Sequence, residues 1–181
     1  MNRILLEEDF IFNIVITPGT ARYFRLFCLS LLKWSGCSYR IISNGCNFDE
    51  IELLKKFCCL DRRLSYHFLP FKEKVSHGRA LTFLQKKETS PFFCFMDSDI
   101  LSTGPFLKSI TKIINNKTAV FSGLPVWQRE GFSILPENAN RVRGQFNRTK
   151  DNVILGGTYF AIYNNKILNE LLCSFFIITS S

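Results

Sequence analysis

Short apolar runs alternate with stretches of helical periodicity along most of the chain. Phe12 to Thr17 is the first run, closed by Pro18-Gly19. Thr20 to Ser35 then places Phe24, Phe27, Cys28 and Leu31 at helical spacing before Gly36 stops it. Tyr39 to Ser43 is the second strand and Asn44-Gly45 turns the chain. A helix over about Asp49 to Leu60, with Ile51, Leu54 and Cys58 on one face, leads to a third strand over Leu64 to Pro70. Ser76 can cap a third helix containing Ala80, Leu81 and Leu84, and Ser90-Pro91 ends it ahead of the run Phe92 to Met96. This β-α-β-α-β-α-β order predicts right-handed crossovers and an α/β fold, a Rossmann-like, mostly parallel sheet flanked by helices on both faces.

Beyond it, Pro105 can open a fourth helix striped by Phe106, Ile110, Ile113 and Ile114, and Thr118 to Gly123 reads as another strand. From Leu124 to Asn152 turn formers and charges replace the periodicity, a long irregular stretch of the kind that carries function. Val153 to Tyr163 restores a strand around Gly156-Gly157, a short helix follows over Lys166 to Cys173, and an apolar tail runs from Phe175 to Ile178.

At 181 residues, 46% hydrophobic and 21% charged, the chain can bury one core and is expected to be a single domain over 1–181. Its longest apolar runs, such as Leu26 to Leu32 and Leu171 to Ile178, fall short of the roughly 20 residues of a spanning helix. Glu7, Glu8 and Asp9 stand where a signal peptide would be apolar, so the expected location is cytoplasmic, with peripheral contact at the inner face of a membrane left open. Nineteen phenylalanines could leave an apolar patch for a partner or lipid, although most should pack inside. The seven cysteines contain no CxxC pair and read as small buried hydrophobes in a reducing compartment. The net charge of +8 suits an anionic partner such as a nucleotide, a nucleic acid or an acidic membrane surface.

The most specific chemistry lies at Asp97-Ser98-Asp99, where a buried strand ends in two carboxylates separated by one residue. The carboxyl edge of a parallel sheet is where α/β proteins bind ligands. Two hard oxygen donors on one turn can hold Mn²⁺ or Mg²⁺, and such an ion can clamp a diphosphate. The Ser76-His77-Gly78-Arg79 helix start offers free N–H groups and a cation to a pyrophosphate.

In Phe12 to Gly19 (FNIVITPG), Val75 to Leu84 (VSHGRALTFL), Phe92 to Pro105 (FFCFMDSDILSTGP) and Ile154 to Asn164 (ILGGTYFAIYN) the chain resembles nucleotide-sugar glycosyltransferases of the GT-A fold. The resemblance implies a nucleotide-binding half over 10–123, a partial donor-sugar and acceptor region over 124–181, and a shortened C-terminus relative to that family. It implies a metal-dependent, hexosyltransferase-like enzyme that moves a sugar from a nucleoside-diphosphate sugar to a glycan or lipid-linked acceptor, as in polysaccharide biosynthesis. Thr17, Pro18 and Gly19 would border base and ribose, Asn44 would offer its amide there, and Arg79 would contact the diphosphate. Asp97 would face ribose and metal, Ser98 would bridge, and Asp99 would bind the metal most directly. Gly156 and Gly157 would line the sugar pocket, where a side chain would collide with the donor. Many members complete the metal site with a later histidine, yet none follows His77 here, so water or phosphate would fill those positions.

For a catalytic base Asp151 is preferred over Glu130 and Glu137; a retaining reaction could need none. Arg141, Arg143, Arg148 and Lys150 could receive an anionic acceptor or close over the diphosphate. Two other readings stay open. Gly19-Thr20 with Arg22 faintly resembles the triphosphate loop of sugar-phosphate nucleotidyltransferases, without their longer glycine-rich start. An inactive fragment that keeps nucleotide or polyanion affinity is the third; binding to nucleic acid itself is not expected.

Overall fold

The computed structural model describes residues 5–114, 120–122, 127–129, 132–134, 145–146 and 159–170. After a 3₁₀ turn at Glu7–Asp9 come β1 (Ile11–Ile16), α1 (Ala21–Trp34), β2 (Ser38–Ser43), α2 (Phe48–Cys58), β3 (Leu64–Phe68), α3 (His77–Lys87) and β4 (Phe92–Met96). They are followed by α4 (Leu107–Ile113), β5 (Val120–Ser122), β6 (Trp127–Arg129), β7 (Phe132–Ile134), β8 (Gln145–Phe146) and β9 (Phe160–Asn164). A helix over 165–170, α5, continues from β9.

The main sheet has six strands in the order β3-β2-β1-β4-β9-β5. β1 to β4 are parallel, and β9 is inserted antiparallel between β4 and β5. The mostly parallel α/β expectation therefore holds, with one reversed strand that local pattern cannot announce. β6, β7 and β8 form a separate antiparallel sheet.

Alternation along the strands sorts side chains to two faces. Phe12, Ile14, Ile16, Tyr39, Ile41, Cys94 and Met96 join Phe24, Leu31, Leu54 and Leu107 in the larger core, under α1, α2 and α4. Val15 and Ile42 meet Ala80, and Phe93 and Phe95 meet Ala161, on the side of α3. Aromatic packing ties the first core across strands: the Phe12 ring lies 5.2 Å from Phe160, and Phe10 lies 5.3 Å from Phe92. Burial pushes the Cys28 thiol up to about 12 and the Cys37 and Cys58 thiols up to about 11, so these cysteines behave as small hydrophobes.

Helix ends follow local chemistry. Asn47 caps α2 by accepting from the Glu50 amide at 2.9 Å, while the Glu50 carboxylate accepts from the Asn47 amide at 3.1 Å. Arg63 satisfies carbonyls at the end of α1, donating to Leu32 and Ser35 at 3.0 and 2.6 Å.

The stretch from Leu124 to Asn152, expected to be irregular, holds β6, β7 and β8, which at two or three residues each are too short for periodicity to reveal, and three further elements differ from the sequence pattern. α4 starts at Leu107, which puts Leu107, Ile110 and Ile114 inside and leaves Ile113 61% exposed, outside the expected stripe. β3 ends at Phe68 because it is an edge strand, and Pro70 has no N–H to add to the ladder. In α3, Gln85 rather than a leucine is fully buried, donating to Asn165 and Asn169 at 3.2 and 2.7 Å.

At the sheet's amino edge Glu88, whose side chain is 1% exposed, pairs with Arg40 and accepts from the Ser90 amide and hydroxyl. Burial alone would raise its pKa, but the Ser90 and Arg40 hydrogen bonds prevail and hold it below the usual carboxylate range. A carboxylate stabilised in this way supports the fold above its unfolded pKa and loses that support as pH falls. Glu88→Ala is therefore expected to cost about 2–4 kcal/mol at pH 7 by stranding Arg40 and the Ser90 amide. Denaturant titration should show the gap to wild type narrowing in acid; a gap that widens as pH drops would contradict this account.

Candidate functional site

Parallel strands bring their carboxyl ends to one edge, and this edge gathers four segments that are far apart in sequence. The first is the turn after β1. Thr17 accepts from the Thr20 amide at 3.2 Å, with Pro18 and Gly19 between them and Gly19 at φ 87°. Proline followed by a positive-φ glycine is the chemistry of a type II turn. Space around the Gly19 α-carbon is open, with nothing within 4 Å of where a Cβ would stand. Its N–H, however, is held by the Glu50 carboxylate at 2.6 Å.

The second segment, Asn44-Gly45 after β2, does other work than expected. Asn44 is 1% exposed, and both ends of its amide are taken by the Val75 backbone: Nδ2 donates to the carbonyl and Oδ1 accepts the amide, each at 2.9 Å. Its amide is thus turned to the chain's own loop, which corrects the expectation that it would meet a base or ribose. Gly45 has φ 76°, and a Cβ there would lie 2.6–3.0 Å from Lys74 Cβ, Cα and N. Both residues hold the loop between β3 and α3 against the sheet edge.

That loop delivers the third segment. Ser76 caps α3 by accepting from the Arg79 amide at 3.3 Å. Arg79 is exposed and rests its guanidinium 4.8 Å above the Phe71 ring. Together with Lys72, Lys74 and Ser76 it lines an open groove of about 520 Å³.

The fourth segment is the acidic turn. Every residue of β4 is buried, and the chain leaves the sheet at Asp97, whose amide donates to the Tyr159 carbonyl at 2.7 Å. The strand following the glycine pair thus runs beside this turn. Asp97 is half-buried, Ser98 is partly buried and Asp99 is exposed in a tight turn. Burial raises the Asp97 pKa, the Asp99 charge pushes it the same way, and His77 opposes both.

His77 is the residue that sequence reasoning passed over as part of the site. Its Nε2 lies 3.9 Å from Asp97 Oδ1, with its ring 6.1 Å from Phe95. The available signal was its place at the first position of a helix entering the carboxyl edge, directly after the capping serine.

The structure thus brings Thr17, Pro18, Gly19, Arg79, Asp97, Ser98 and Asp99 to one edge. The expected sugar-pocket residues Gly156 and Gly157, the expected base Asp151, the alternatives Glu130 and Glu137, and the basic group Arg141, Arg143, Arg148 and Lys150 lie outside the described residues. Also among the described residues, no helix is long and apolar enough to cross a membrane.

No protein-family model and no curated protein matches this sequence. Solved structures do match its fold. A mannosyltransferase from Pyrobaculum calidifontis, in complex with GDP-Man and Mn²⁺, is 10% identical with a TM-score of 0.61, covering 94% of this chain and 50% of that one. TarS of S. aureus is 15% identical with a TM-score of 0.58, covering 88% of this chain and 48% of its own. A 4-diphosphocytidyl-2C-methyl-D-erythritol synthase from Anaerococcus prevotii is 11% identical with a TM-score of 0.53, covering 94% and 78%. The chain spans half or less of the two transferases' length. At these identities the likeness establishes the fold, that of nucleotide-diphospho-sugar transferase structures.

Two stability outcomes follow from this geometry. Gly45→Ala is expected to cost about 1–3 kcal/mol through its left-handed φ and the Lys74 backbone contact, read by denaturant melts; an unchanged midpoint would refute the clamp. Asp97 binds its proton more tightly folded than unfolded, so ionising it at neutral pH weakens the fold. Because the group is partly solvated, Asp97→Asn should raise Tm at pH 7 by only about 1 °C. The gain should vanish below the ordinary carboxylate pKa; a lower Tm at pH 7 would argue against a strained acidic turn.

Proposed function

We propose that this protein is a metal-dependent glycosyltransferase acting on a nucleoside-diphosphate sugar, with a glycan or lipid-linked acceptor. The observation carrying this reading is the acidic turn: two carboxylates at the end of a fully buried central strand, one raised in pKa by burial with a smaller push from the other, facing a helix start with an exposed arginine. The fold likeness to a mannosyltransferase complexed with GDP-Man and Mn²⁺ supports it.

The donor set suits Mn²⁺ or Mg²⁺. Asp97 and Asp99 offer hard oxygens, and their mutual repulsion is the kind a cation relieves. Among the described residues no cluster of three or more His, Cys, Asp or Glu side chains is placed to hold a metal. The pair would therefore share the ion with phosphate and water oxygens, as Mg²⁺ sites commonly do. Bound there, the ion would supply Lewis-acid stabilisation of the departing diphosphate.

The protein's own groups account for the rest of this reading. Arg79, exposed and resting above Phe71, can pair with a diphosphate oxygen, and the α3 start adds the partial positive charge of its N–H groups. Ser98, within the same turn, can bridge to ribose or phosphate. Thr17, Pro18 and Gly19 form the rim where the nucleoside would lie, with no side chain at Gly19 to obstruct it. His77, beside Asp97, can orient that carboxylate. As the bond from the sugar to the diphosphate breaks, the acceptor hydroxyl must lose its proton; Asp151 is the proposed base, and Gly156 and Gly157 would leave room for the sugar.

The likeness to the diphosphocytidyl-methylerythritol synthase favours a second reading, nucleotidyl transfer. Against it, the Glu50 carboxylate occupies the Gly19 N–H that a triphosphate loop would need.

Calorimetric titration with UDP-, GDP- and CDP-sugars, with and without Mn²⁺, tests the proposal. At least one should bind in a metal-dependent way, and Asp99→Asn should weaken that binding about tenfold or more. Affinity that ignores both Mn²⁺ and the substitution would eliminate this mechanism. Binding without turnover would favour an inert nucleotide-binding protein.

A further inference from the structure

On the opposite side of the sheet from α3, α1 carries more apolar surface than its own packing uses. Its inner side is filled by Phe24, Cys28 and Leu31, all buried. Its outer side is a stripe at i, i+4, i+7 and i+11: Arg22, Leu26, Leu29 and Lys33. Leu26 is 70% exposed and Leu29 is 54% exposed. The amide of Ser102 donates to Ser30 Oγ at 2.9 Å, which fastens the loop after β4 alongside the helix, and Leu101, 60% exposed, directly precedes Ser102 in that loop. Residues 21–34 include Arg22, Arg25 and Lys33 and no acid. Of the acids that precede β1, Glu7 accepts from the Gly36 amide beyond the helix's end and Asp9 accepts from the Leu6 amide.

We propose that this face of α1, together with the Leu101 loop, docks on the surface of an anionic lipid bilayer. Exposed leucines flanked by cations along one helical stripe match the two layers of such a surface. The side chains of Leu26 and Leu29 enter the acyl boundary, and Arg22 and Lys33, at the ends of the stripe, reach phosphate on flexible stems. An acidic protein would satisfy the charges as well, but two leucines set between cations along one helix match the layering of a lipid surface, apolar beneath and anionic above. α1 begins just after the Thr17–Gly19 turn, and a single residue separates Asp99 from Leu101. Docking therefore brings the carboxyl edge of the sheet to the membrane surface. The inference does not depend on transferase activity, since it concerns residues outside the acidic turn.

Co-sedimentation of the full chain with sucrose-loaded vesicles is the test. At low salt, partitioning onto phosphatidylcholine mixed with phosphatidylglycerol should exceed that onto phosphatidylcholine alone by roughly tenfold or more. The double variant Leu26→Glu and Leu29→Glu should lose about tenfold of that binding. Phe68→Glu, which alters a 70% exposed phenylalanine on the edge strand β3, outside the α1 stripe, should keep it. If the glutamates disturb folding, Arg22→Gln with Lys33→Gln, judged folded by circular dichroism, must lower binding to the mixed vesicles. No sedimentation with either vesicle, equal sedimentation with both, or equal loss in Phe68→Glu would overturn the proposal.

Discussion

Desolvation governs where β4 must stop. Phe92 to Met96 are all buried, between a core under α1 and another under α3, and an ionised carboxylate placed one position further into that environment would lose its water with no counter-charge to replace it. The chain therefore turns out of the sheet at Asp97, and both acids emerge at the edge where the parallel strands end. The escape is incomplete: Asp97 remains half-buried and its proton is held more tightly for that reason. A carboxylate kept part-way out of water, next to another, is poorly satisfied by the protein alone and well suited to a cation.

Around this turn the edge is held by contacts that are easily mistaken for binding features. Asn44 looks like a donor-site residue, yet it spends its amide on Val75, and Gly45 beside it makes room for Lys74. Their effect on a ligand is indirect: they fix the loop that presents Ser76, His77 and Arg79. Glu50 acts similarly from α2, joining its own helix cap to the Gly19 turn. At the opposite edge, Glu88, Ser90, Arg40 and Asn165 form a buried polar network that anchors the start of β4. The strand is thus pinned at its amino end by hydrogen bonds and released at its carboxyl end by charge.

α1 shows the same economy of roles on two faces. Its inner residues build the core against β1 and β2, while its outer leucines are exposed and its outer cations, Arg22 and Lys33, rest on the neighbouring rings of Tyr23 and Trp34. Large exposed side chains of this kind are ordinary when scattered; here they share a stripe and a neighbouring loop.

Much of the fold was legible along the chain. Apolar runs and helical spacing located the strands and helices through β4 because a two-faced sheet demands period-two burial and each covering helix demands its stripe. The acidic turn was equally legible, since a charge following an apolar run can only mark a strand's exit. Tertiary structure alone decided what depends on distant partners: β9 reversed between β4 and β5, Ile113 left outside, Gln85 buried against Asn165 and Asn169, the Asn44 amide given to Val75, and His77 brought to Asp97. Periodicity records which side of an element avoids water, whereas hydrogen-bond choice and strand order are settled by groups many residues away, which a local pattern does not contain.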